Sequence, residues 1–271
     1  MKQIKMIFSD LDGTLVKEDN TISDRTLYVL DTLKKQGIRF LPVTGRSYAD
    51  MRTCFPQDLH FASIVLNGAL FLGEQQNVIK QDSFLYHSLI KLLDQIADFG
   101  LPAILYGQKE SYLLGDHKMI QRCVETFFHS TEILYTKGLR QLGDASKLDQ
   151  DILKVEVVTI DLTQRNACMK QLKKRKDCLV TSSLPFNIEI TPLHVHKAHM
   201  VHQVLDYYHI QPEHALIFGD SDNDLQMFEQ FPNCIAVENA SEAIKKKAKT
   251  IISSCEDDGV ASYLEEFIVK G

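Results

Sequence analysis

The chain has 271 residues, with 30 Lys and Arg against 36 Asp and Glu for a formal charge of −6, and 44% of its residues are hydrophobic. A chain of that length removes roughly three-quarters of its unfolded surface from water, as one large domain or two moderate ones, and its apolar content excludes dominant disorder, collagen and coiled coil. Its mild acidity is the wrong sign for a nucleic acid partner, which would need basic surface to neutralise phosphates. The first expected strand covers residues 4–8 and ends at Asp10, too short for a signal peptide. Ser23 N-caps a helix to Gln36, with Leu27, Leu30 and Leu33 recurring at threes and Gly37 stopping it. A strand over 38–43, a short helix from Ser47 and a strand at 64–66 follow. Further strands are expected at 215–218 and 235–237, and a closing helix at 259–269. Strand, helix, strand at this spacing predicts right-handed crossovers in a parallel sheet.

Between about Ser83 and Ile190 the texture changes. Residues 154–160 alternate charged and apolar, which predicts an antiparallel sheet with one wet face, and helices are expected near 86–99, 116–128 and 163–174. The expected fold class is therefore α/β, a parallel-sheet core made of residues 1–82 and 191–271, with an inserted α+β module at 83–190 whose entry and exit lie close together. The basic runs 173–176 and 245–247 read as solvated helix faces. Six scattered cysteines, Cys54, Cys123, Cys168, Cys178, Cys234 and Cys255, contain no C-x-x-C pair and are expected to be reduced, mostly buried thiols. No stretch approaches the ~18 consecutive apolar residues of a membrane span. A cytoplasmic protein without membrane contact is expected.

Three polar segments sit where an open α/β sheet binds ligands, at the carboxyl ends of strands. In Asp10-Leu11-Asp12-Gly13-Thr14 two carboxylates follow a buried strand directly, where partial desolvation and mutual repulsion favour a divalent cation. Asp220-Ser221-Asp222-Asn223-Asp224 follows a second apolar strand. It is not a calcium loop, because Leu225 stands where that loop needs Gly and Phe231 where it needs Glu. Oxygen donors drawn from two strand ends, few from each, suit Mg²⁺. Thr44-Gly45-Arg46 and Lys197 place cations just before helices, the wrong end of the dipole for a cation but a good place to hold phosphate.

Taken in order, Asp10-x-Asp12-Gly13-Thr14, Thr44-Gly45-Arg46, Lys197 and Gly219-Asp220-x-x-Asn223-Asp224 resemble the four motifs of the haloacid dehalogenase superfamily of phosphohydrolases. Asn67-Gly68-Ala69, Asn239-Ala240 and Asp257-Asp258-Gly259-Val260 resemble the smaller signatures of its Cof-type branch with a type IIB cap. The chain departs from that branch at Ala198, where Gly often follows the lysine, at Glu238, where Gly usually precedes the asparagine, and at Ser9. The resemblance implies a Rossmann-like core and a cap that closes over the site and sets substrate choice. It implies Asp10 as nucleophile and Asp12 as acid and base. A Mg²⁺ site would form from Asp10, the Asp12 backbone carbonyl and Asp220, with Asn223 and Asp224 supporting the metal and Lys197. Thr44, Gly45, Arg46, Lys197 and Asn223 would bind phosphate. The expected substrate is a small phosphorylated metabolite such as a sugar phosphate, and the expected state a monomer or weak homodimer. A phosphomutase of the same superfamily, or a non-catalytic regulatory protein that binds a phosphate ligand, are the alternatives. His194, His196, His199 and His202 crowd together but lack a local Cys or Glu to complete a zinc set, so packing roles are expected. Glu110 and Tyr112 are the residues of the module expected to face the site.

Overall fold

The apolar run that opens the chain becomes β1 (Met6–Ser9), buried along its whole length. The structure, a computed structural model, describes residues 4–128 and 139–270. After β1 come α1 (Asp24–Lys35), β2 (Arg39–Pro42), α2 (Tyr48–Arg52), β3 (Ser63–Val65), β4 (Leu70–Leu72) and β5 (Val78–Gln81). Next are α3 (Tyr86–Ala97), β6 (Ala103–Gly107), β7 (Ser111–Leu114), α4 (His117–Phe128), β8 (Leu139–Leu142), β9 (Ile152–Val158), α5 (Leu162–Leu172), β10 (Cys178–Thr181) and β11 (Asn187–Pro192). The chain ends with α6 (Lys197–Tyr207), β12 (Ala215–Gly219), α7 (Leu225–Gln230), β13 (Cys234–Val237), α8 (Glu242–Lys245), β14 (Thr250–Ile252) and α9 (Gly259–Lys270). Two compact units result, Met1–Lys80 with His196–Gly271, and Gln81–Val195. The second join falls after Val195 rather than at residue 190, because β11 runs on to Pro192 and still pairs there with Cys178 of β10.

In the first unit five parallel strands take the order β14-β13-β12-β1-β2. The pairing Ser9↔Phe218 puts the carboxyl ends of β1 and β12 side by side, which is what brings residues 10 and 220 together. Ser23 caps α1 by accepting the Thr26 N–H, and the helix buries Leu30 and Leu33 of the expected leucine row together with Thr26 and Val29, while Leu27 is half-buried. The strand expected at 64–66 does not join the parallel sheet beyond a single bridge, Val43↔Ile64. Leu66, Asn67 and Gly68 take positive φ and turn the chain back, so β3 pairs antiparallel with β4 in a separate three-stranded sheet.

In the second unit six strands take the order β10-β11-β9-β6-β7-β8, antiparallel except for the β7–β8 pair. Leu89, Leu92, Leu93 and Ile96 of α3 and Cys168 and Leu172 of α5 pack against Leu105, Val155, Val157, Ile188 and Ile190. The wet face expected for 154–160 is not there: all seven residues of β9 are buried, Lys154 and Glu156 included. Lys154 Nζ lies 2.5 Å from Glu189 Oε1 and 3.4 Å from Glu156 Oε2. Asn187 Nδ2 and the Tyr106 hydroxyl donate to Glu156 at 2.9 and 3.0 Å. Pairing of this kind is what makes burial of such groups tolerable. All six cysteines are buried and free, and among the described residues no helix is long and apolar enough to cross a membrane.

Candidate active site

Asp10 is the first residue past β1, and its N–H donates to the Phe218 carbonyl at 3.0 Å, which ties it to the neighbouring strand end. Asp220 is the first residue past β12. The last residue of β12 is Gly219, where a Cβ would lie 2.7 Å from Asp224 Oδ2, so the turn closes over Asp224 only because no side chain intervenes. Asp224 Oδ2 accepts the backbone N–H groups of Asp220 (3.0 Å) and Ser221 (3.2 Å). Lys197 opens α6 directly after His196, whose Nδ1 accepts the His199 N–H and caps the helix.

Lys197 is 1% exposed, buried although it stands at the start of a helix. Its ammonium meets Asp10 Oδ1 at 2.8 Å, Asp224 Oδ1 at 2.7 Å and Asn223 Oδ1 at 3.2 Å, one oxygen for each N–H. Burial alone would lower its pKa, but the two carboxylates outweigh that and hold it above the usual lysine value. The carboxylates bear the cost. Burial, then the charge of Asp224, pushes Asp10 well above the ordinary range despite Lys197. Burial and Asp224 push Asp220 up to about 7.

One oxygen from each of Asp10, Asp220 and Asp224 lies within 4.8 Å of the others. Three carboxylates against one ammonium, with two held away from their ordinary ionisation, form a donor set that a hard divalent cation would relieve. Asp224 has both oxygens engaged, by Lys197 on one side and two backbone N–H groups on the other. Asp10 and Asp220 are thus the better donors.

Asp12 stands apart from this trio. Its carboxylate is held by Arg46, with Nε at 2.9 Å from one oxygen and Nη2 on the other. Arg46 thereby turns to a carboxylate, where a phosphate contact was expected. Thr44 is buried; its Oγ1 accepts the Arg46 N–H at 3.1 Å and its carbonyl accepts the Asn67 N–H at 3.0 Å, while half-buried Gly45 links the two. Asn223 Oδ1 is shared between Lys197 and the Ser221 hydroxyl.

Several partners had no role assigned from sequence. The Thr14 hydroxyl donates to Asp220 Oδ1 at 2.7 Å, and Asn239 Nδ2 to the Gly13 carbonyl at 2.7 Å, past the unusual Glu238. Buried Asn67, at φ 57°, accepts Asn223 Nδ2 through its Oδ1, and its own Nδ2 has no hydrogen-bond partner. The signal was the Asn67-Gly68 dipeptide, which tolerates the left-handed region. A Cβ on Gly68 would lie 2.5 Å from the His196 carbonyl, so this glycine lets the turn reach the start of α6. Ala198 is buried in α6, and the Ser9 hydroxyl donates to the Asp10 carbonyl. Of the other histidines, His202 meets Gln230 and stacks on Phe231, and among the described residues the metal-competent grouping is the aspartate trio. The expectation for Tyr112 is corrected: its ring lies in the apolar core of the second unit and its hydroxyl donates to Asp149, while Glu110 pairs with Arg140 on the surface.

A family model described as haloacid dehalogenase-like hydrolase matches residues 7–264. The chain belongs to this family. A 5-amino-6-(5-phospho-D-ribitylamino)uracil phosphatase of Bacillus subtilis is 29% identical, over 97% of each chain. One of the same description from Escherichia coli is 25% identical, over 98% of this chain and 96% of its own. The solved structure of a haloacid dehalogenase-like hydrolase from B. subtilis superposes with a TM-score of 0.87 at 20% identity, over 97% of this chain and 99% of that one. The protein is thus a hydrolase of haloacid dehalogenase fold, with a buried aspartate cluster able to take a metal.

Proposed function

We propose that the protein is a Mg²⁺-dependent phosphatase that hydrolyses small phosphomonoesters, sugar or sugar-alcohol phosphates among them, through an aspartyl-phosphate on Asp10. The observation that carries this reading is Lys197, buried between Asp10 and Asp224 beside Asp220. A lysine so placed holds a carboxylate nucleophile in line and meets the phosphoryl oxygens as they gain charge. Asp10 and Asp220 would hold the cation, with the Asp12 carbonyl as a third donor. When bound, Mg²⁺ supplies positive charge to the aspartates and to a phosphoryl oxygen.

Asp10 attacks phosphorus as the ester P–O bond breaks, and Asp12 gives its proton to the departing alcohol oxygen. Water then attacks the phosphoryl group, Asp12 takes the water's proton, and the bond between Asp10 and phosphorus breaks to free phosphate. Thr44, through its hydroxyl, and Lys197 orient the phosphoryl oxygens. Asp224, saturated by hydrogen bonds, serves to hold Lys197 and the 219–221 turn. Thr14 fixes the Asp220 carboxylate. The inserted unit would choose among leaving groups. The two relatives named as phosphatases of a phosphoribityl compound support a polyol phosphate as substrate.

The test is a panel of phosphorylated metabolites, including ribityl and hexose phosphates, assayed for phosphate release with Mg²⁺ and with EDTA. Release with Mg²⁺ that EDTA abolishes is expected. Phosphoryl movement between hydroxyls with little free phosphate would make the protein a mutase instead.

A further inference from the structure

We propose that Arg46 is a positioning residue: its guanidinium sets the direction of the Asp12 carboxylate, and Asn20 and Cys54 set the guanidinium. This rests on the phosphatase reading, in which Asp12 handles the proton. The Asp12 side chain is half exposed and would otherwise be free to rotate, since the backbone turn around it fixes only its Cα: the N–H groups of Thr14, Leu15 and Val16 all point back to the Leu11 carbonyl. Arg46 removes that freedom with two donors, Nε and Nη2, on the two carboxylate oxygens. A planar fork on a carboxylate specifies direction as well as distance.

The fork is itself held on its far side. Nη2 also donates to Asn20 Oδ1 at 2.6 Å, and Nη1 lies 3.0 Å from the buried Cys54 sulfur. Asn20 sits at φ 65°, a conformation that asparagine tolerates, and it brings its amide in from the turn after Lys17. Cys54 comes from the end of the α2 segment. Three separate pieces of chain therefore converge on one guanidinium, and the outcome of that convergence is the aim of one carboxylate. An arginine whose task was to grip phosphate would need its donors open towards the nucleophile. Here they are spent on Asp12, Asn20 and Cys54.

The chemical consequence is selective. A p-nitrophenolate leaves without being protonated, whereas an alkoxide requires a proton from Asp12. Misdirecting Asp12 should therefore harm cleavage of the ester bond, read as kcat/KM, more for alkyl phosphates than for p-nitrophenyl phosphate. The later attack of water also uses Asp12, but it is common to both esters and enters kcat alone. Arg46→Lys keeps the charge and loses the fork. The expected result is a fall in kcat/KM of about 10²-fold on an alkyl phosphate, the scale of a misplacement near one ångström, with a loss on p-nitrophenyl phosphate at least tenfold smaller. Asn20→Gly suits the backbone and deletes the amide oxygen; it should skew the ratio the same way, by less, with an unchanged circular dichroism spectrum. Equal losses of kcat/KM on both substrates would overturn the proposal and return Arg46 to phosphate binding. An unchanged ratio in Asn20→Gly would remove the anchoring half. If the wild-type enzyme hydrolyses neither ester, the phosphatase reading itself fails, a result that cannot be mistaken for the others.

Discussion

Two buried lysines in this chain each stand between two carboxylates, and the resemblance ends there. Lys197 joins Asp10 to Asp224 at the carboxyl ends of parallel strands, where Asp220 adds a third carboxylate. Lys154 joins Glu156 to Glu189 in the middle of antiparallel strands, where Asn187 and Tyr106 donate to the acid. Burial raises the pKa of Glu156, as it does that of Asp10. In mid-strand the ladder on either side closes the cluster with its own donors. At strand ends the chain turns away, and the cluster keeps an excess of carboxylates, with Asp220 only partly buried. Place along the strand, more than residue type, separates a structural charge cluster from a chemical one.

The sharpest break would come from the carboxylates. Asp10→Asn is expected to lower phosphate release on the order of 10⁴-fold or more, with an unchanged circular dichroism spectrum. Glu156→Gln should keep turnover of p-nitrophenyl phosphate. If the two variants behaved alike in either direction, the comparison would be wrong.

Removing the lysines should look alike until metal is added. Lys197→Met and Lys154→Met each leave buried carboxylates without their cation, at a cost of about 3–5 kcal/mol in urea unfolding. Mg²⁺ should restore part of the loss in Lys197→Met, where the ion can replace the missing charge, and none in Lys154→Met.

Acid should stabilise the metal-free protein. A carboxyl whose folded pKa is raised binds its proton more tightly in the native state, so its contribution is full below the ordinary carboxylate value and is lost as pH rises through the raised one. For Asp220 that window runs from ~4 to about 7. In EDTA the melting temperature is expected to fall between pH 5 and pH 8. Mg²⁺ should flatten the part due to Asp10 and Asp220, and Glu156→Gln should remove a part that Mg²⁺ does not touch. A flat profile in EDTA would contradict the burial of these groups. The smallest effect belongs to Thr14→Val, which loses one hydrogen bond to Asp220 and should cost about 1 kcal/mol, read as a modest fall in melting temperature.

The sequence by itself determined the parallel core and the acidic strand tips. Asp10 and Asp220 could be placed because each directly follows an apolar run, and a polar residue at that point can only lie at the strand's end. The same local logic failed at Lys154 and Glu156. Alternation along one strand reports which residues share a face, but what covers that face is set by other strands, here Tyr106 and the Asn187–Glu189 segment. It also failed at residues 64–66, where the turn at Asn67 and Gly68 sent the strand into another sheet. The depth of Lys197, the clamp of Arg46 on Asp12 and the core position of Tyr112 were decided by tertiary structure alone. Each depends on groups tens of residues distant, and a pattern of neighbours along the chain carries no record of charges that meet only when it folds.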